Sequence, residues 1–83
     1  MANSDEVVQV QVAGHEIRLT AKPEERRHVE RAAAKVTEQI QSLQGRFAGA
    51  ASPSKIAAMT AFQFAYELSM ADDMLEDAQR LHD

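Results

Sequence analysis

The chain has 83 residues, a net charge of −4 and no cysteine, which allows one small domain with no disulfide to staple it. Met1 to Glu6 are polar and acidic, unlike a signal or transit peptide, and the lack of cysteine is compatible with the cytosol. Residues 1–55 hold eight basic against seven acidic side chains and residues 56–83 one against six, so the C-terminal part would repel phosphate and no nucleic-acid partner is expected.

Residues 1–6 have nothing to bury and are expected to be disordered. Val8, Val10 and Val12 then alternate with Gln9 and Gln11, the pattern of a half-buried strand. Gly14 suits a tight turn at positive φ. Beyond it Ile17 and Leu19 alternate with Glu16, Arg18 and Thr20. The pair reads as a β-hairpin with one apolar face, which helices or a second sheet must cover.

Pro23, followed by Glu24 and Glu25, suits a helix start. Val29, Ala33, Val36, Ile40, Leu43 and Phe47 recur at spacings of 4, 3, 4, 3 and 4, the seam of an amphipathic helix. Gly45 is expected to end this helix in the left-handed conformation, and Arg46 to Ala51 to form the loop.

Ser52 is a fitting N-cap for a second helix with Pro53 at its first position. From Ile56 to Ala71 the only charge is Glu67. At about 100° per residue, Phe62, Tyr66 and Met70 form one stripe and Phe64, Leu68 and Ala71 another on roughly the opposite side. A helix apolar nearly all round demands burial all round. The run is nevertheless too short for a membrane span and carries Thr60, Gln63, Glu67 and Ser69, so no membrane partner is expected. With no internal Gly or Pro, the helix would reach about 46 Å if it ran to Asp83, longer than a compact globule of this size is wide, roughly 30 Å. Beyond Ala71, Met74, Leu75, Ala78 and Leu81 share one side, a stripe suited to a coiled-coil partner. The expected oligomer interface therefore comprises Ile56, Met59, Phe62, Phe64 and Tyr66, continued by Leu68, Met70, Ala71, Leu75 and Ala78. The fold class is α+β in the order ββαα, with a dimerising head over 7–71 and the start of a coiled-coil helix over 72–83.

Catalytic chemistry has little to stand on. His15, His28 and His82 lack metal-ligand spacing. Asp72, Asp73, Glu76 and Asp77 lie on a helix and cannot wrap a cation as a loop does. The three glycines are far apart and make no phosphate loop. No enzyme activity, metal or cofactor is expected. Arg27, Arg31 and Lys35 stand at i, i+4 and i+8, a basic stripe that reads either as a solvated face or as a docking strip for an acidic protein surface.

Four marks in order carry a family resemblance. They are Val8-x-Val10-x-Val12-x-Gly14-x-x-Ile17-x-Leu19, then Ala32-Ala33-x-x-Val36-x-x-x-Ile40-x-x-Leu43, then Ala57-Ala58-Met59-x-Ala61, and finally Tyr66-Glu67-Leu68. Together they resemble the ZapA-type cell-division proteins, small bacterial partners of the tubulin-like FtsZ. The resemblance implies a ββαα head that dimerises, a C-terminal coiled-coil helix able to join dimers into a tetramer, and cross-linking of FtsZ protofilaments at midcell in the cytoplasm. The chain departs from the pattern at His15, where the family often has a basic residue, and in its alanine- and glycine-rich link between the helices. Arg18 and Arg46 stay on the list of filament contacts beside Arg27, Arg31 and Lys35. The alternatives are a dimeric coiled-coil adaptor for another protein and, further off, a nucleic-acid-associated dimer.

Overall fold

The computed structural model describes residues 5–81. Strand β1 spans Glu6–Val12 and β2 spans His15–Ala21; a 3₁₀ turn over Pro23–Glu25 leads into α1, Arg26–Arg46, and α2 spans Pro53–Leu81. This is the expected ββαα order. Residues 1–4, and with them most of the terminal segment, lie outside the described residues, as does His82. Glu6, assigned above to that segment, instead opens β1 opposite Ala21. Its carboxylate accepts a hydrogen bond from Arg26 Nε at 3.3 Å, which ties the strand end to the start of α1.

The strands pair antiparallel with Val8 opposite Leu19, Val10 opposite Ile17 and Val12 opposite His15. Because side chains alternate along a strand, this register puts the three valines, Ile17 and Leu19 on one face. Gln9 with Arg18 and Gln11 with Glu16 take the other. The apolar face lies on α1, where Val8 is 1% exposed, the most buried large side chain. Both central turn residues take positive φ, Ala13 at 51° and Gly14 at 86°, as a two-residue turn matched to strand twist requires. Ala13 is the costly one, since its Cβ disfavours that conformation. Its N–H donates to Thr37 Oγ1 at 3.0 Å, pinning the turn to the middle of α1.

The α1 seam packs as its spacing predicts: Ala33 and Leu43 are buried and Val29, Val36 and Ile40 half-buried. The helix does not stop at Gly45, however. It continues to Arg46, and the Phe47 N–H closes the last turn on the Leu43 carbonyl at 2.9 Å. Arg46, a cation in the last turn, suits the negative helix end. The positive φ falls on Gly49, at 78°, inside a tight turn where the Ala50 N–H donates to Phe47 O.

Helix α2 starts as expected. Ser52 Oγ accepts the Lys55 N–H at 3.2 Å and Ser52 O the Ile56 N–H at 3.0 Å. Its first turns complete the chain's own core with Ile56, 4% exposed, and Thr60, 3% exposed; the Thr60 hydroxyl donates to Ile56 O at 2.9 Å. Ile56, placed above at the oligomer interface, therefore belongs to the intrachain core. Phe64 is the last half-buried residue, and residues 65–80 are all exposed. The described chain extends 49 × 40 × 14 Å. That thin dimension holds a helix packed on the hairpin, with no third layer over either.

Candidate functional site

The exposed part of α2 is the most unusual surface of the molecule. Phe62 is 72% exposed, Leu68 64% and Met74 69%, with Tyr66, Met70 and Leu75 also at least half exposed. Isolated apolar side chains on a surface are ordinary, but two exposed apolar stripes along one helix mark it as an interaction surface. The Phe62 and Tyr66 rings stack with centroids 6.4 Å apart. They border an open apolar hollow of about 670 Å³ that continues onto Leu43, Ala58 and Met59. Of the ten residues expected at an oligomer interface, Ile56 is buried and Met59 and Phe64 are half-buried in the single chain; the other seven are exposed along α2.

The expected basic contacts do not converge on one site. Arg18 projects from the outer face of the hairpin, opposite Gln9. Arg27, Arg31 and Lys35 are exposed on the face of α1 turned away from the hairpin. Arg18 and the stripe thus lie on opposite faces of the head. Arg46 is in line with Lys35, about 16 Å further along α1 at 1.5 Å per residue, and its guanidinium sits 5.8 Å from the Phe47 ring centroid, a cation–π contact. Arg26, by contrast, is engaged by Glu6 and, at 3.9 Å, by Glu30. Among the described residues, Arg27, Arg31, Lys35 and Arg46 form no ion pair. What distinguishes the stripe is its availability to an acidic surface; partner ions on both sides of such a contact fix register and raise the association rate.

One side-chain hydrogen bond joins the two helices where they cross, and a second, within α2, extends it. The Gln39 side-chain amide donates to Gln63 Oε1, and Gln63 in turn donates to Glu67 Oε2 at 3.4 Å. Sequence reasoning missed both this link and Thr37. Each is a polar residue beside the apolar seam of α1, a position where a solvated side chain would not be needed, and that placement is the signal that could have revealed them.

Among the described residues there is no cluster of His, Asp or Glu able to hold a metal ion, and no helix is long and apolar enough to cross a membrane. The hollow beside Phe62 and Tyr66 is lined by Leu43 of α1 and by Lys55, Ala58, Met59 and Gln63 of α2.

No curated protein and no solved structure gives a significant match to the chain. The family model described as cell division protein ZapA matches residues 8–83, from the first buried valine of the hairpin through the whole of α2. With a match over nearly its full length, the chain belongs to the ZapA family of cell-division proteins, which are associated with FtsZ.

Proposed function

We propose that this chain is a non-enzymatic bridge that binds FtsZ and cross-links its protofilaments at the division site in the cytoplasm. The observation that carries the reading is the apolar row from Phe62 to Leu75, which one copy leaves in water. A second copy covering this row yields a homodimer with residues 7–71 as paired heads and residues 72–83 opening a coiled-coil helix. Two dimers joined through that helix would give a tetramer.

Bridging needs no bond making. Each head presents the same basic residues, Arg18 on the hairpin and Arg27, Arg31 and Arg46 on α1. Once one head is seated, the other is held close to any neighbouring filament, and its effective concentration there reaches the millimolar range for a short connection. Weak single contacts then suffice, and the cross-link stays reversible.

The test is co-sedimentation with FtsZ polymerised in GTP, with a GDP control. Pelleting in GTP alone supports the reading. A protein confirmed as a dimer that stays in the supernatant refutes filament binding.

A further inference from the structure

We propose that Met70 and Met74 form an oxidation-sensitive site on α2, at which an uncharged peroxide converts both thioethers to sulfoxides and separates the copies. This rests on the homodimer above and adds a chemical control to it. The chain has four methionines and no cysteine, so thioethers are its only sulfur. Met1 lies outside the described residues. Met59, Met70 and Met74 all belong to α2 and, at about 100° per residue, fall within an arc of roughly 60°. Phe62, Tyr66, Met70 and Met74 follow one another at every fourth position, so the two sulfurs continue the aromatic row.

Exposure separates the three. Met59 is half-buried beside the hollow, whereas Met70 is 50% exposed and Met74 69%. A peroxide has to reach the sulfur, so the last two react first. Three residues on from each stands a carboxylate, Asp73 and Asp77, which repels an anionic oxidant and leaves hydrogen peroxide unhindered. The sulfur attacks one peroxide oxygen, and an S–O bond forms as the O–O bond breaks. The departing hydroxide takes the proton of the transferred oxygen and leaves as water. Sulfur gives up two electrons and the peroxide accepts them. Two thiols reverse the step: the sulfoxide oxygen leaves as water and the thiols become a disulfide.

The single chain tolerates this chemistry and the assembly does not. The apolar core consists of Val8, Ala21, Ala33, Leu43 and Ile56, and among the described residues no methionine is buried. A sulfoxide on Met70 or Met74 therefore keeps its oxygen in water while the copies are apart. Once a second copy covers the row, that oxygen is buried against apolar side chains, a cost that falls on association alone.

The test treats the full chain with hydrogen peroxide, removes the excess with catalase and maps sulfoxides by peptide mass spectrometry. Sedimentation velocity over a dilution series and circular dichroism follow on the same samples. The comparison chains are Met59→Leu and the double variant Met70→Leu/Met74→Leu, which keeps the row apolar at similar volume; each is read against its own untreated sample. Peroxide is expected to raise the dissociation constant of the parent and of Met59→Leu roughly 100-fold, with the helical signal unchanged. The double variant should not respond, and a methionine sulfoxide reductase with dithiothreitol should restore the parent dimer. A parent that stays dimeric with both sulfoxides mapped, or that leaves both thioethers unreacted, overturns the site and leaves the homodimer standing. Equal dissociation of the double variant does the same. A chain that is monomeric at every concentration before treatment overturns both.

Discussion

Replacing Phe62 by aspartate separates the assembly from the fold. Phe62 is 72% exposed in the single chain and stacks there on Tyr66. Full burial of a phenylalanine contributes about 1.5–3 kcal/mol, so covering its exposed share in a dimer contributes roughly 1–2 kcal/mol per copy by the same scale. Two copies across a two-fold axis give about 2–4 kcal/mol, which corresponds to a dissociation constant raised roughly 30- to 1,000-fold. Two unpaired carboxylates at the interface raise it further. The cost to the single chain is small, within about 1 kcal/mol, as for exposed positions in general. The assay is sedimentation velocity over a dilution series, paired with circular dichroism on the same samples. The expected outcome is a helical chain that sediments as a monomer where the parent is a dimer. An unchanged dimer with a full helical signal would show that Phe62 remains in water in the assembly.

Three other substitutions probe the head. Ala13→Gly removes a Cβ from a residue held at φ 51° and should raise the melting temperature by a few degrees, on the order of 0.5 kcal/mol after the entropic cost of glycine; a lower melting temperature would mean that the turn is unstrained. Thr37→Val deletes the acceptor of the Ala13 N–H and should cost about 1 kcal/mol, read as a shifted midpoint in urea with an unchanged slope. Arg18→Glu and Arg46→Glu should leave melting unchanged and weaken pelleting with FtsZ. Whichever of the two leaves pelleting unaltered drops out of the filament contact.

The elements were legible because each has a single period. Valines alternating with glutamines admit one strand register, and the seam from Val29 to Leu43 admits one helix face. The details that escaped are those where tertiary contacts outweigh local preference. Gly45 is a sound helix terminator by itself, yet the Phe47 N–H still finds the Leu43 carbonyl and carries the helix past it. Ala13 takes a conformation that its side chain disfavours because two strands and Thr37 fix it there. Ile56 looks like every other apolar residue of α2, and only the crossing of the helices near Gln39 and Gln63 assigns it to the core of its own chain while leaving Phe62 outside. The interaction surface was legible as a surplus of apolar residues. Its division into two faces, one beside Leu43 and one turned away from it, depends on where α2 departs from α1.

The most direct test of the bridge is light scattering from FtsZ assembled in GTP, comparing the parent protein with the monomeric Phe62→Asp variant. A bridge needs two heads in one particle. The parent should therefore raise the scattering strongly, and the variant should not, even at concentrations where it pellets with the polymer. Equal bundling by the monomeric variant would contradict the account, since one head alone would then join filaments.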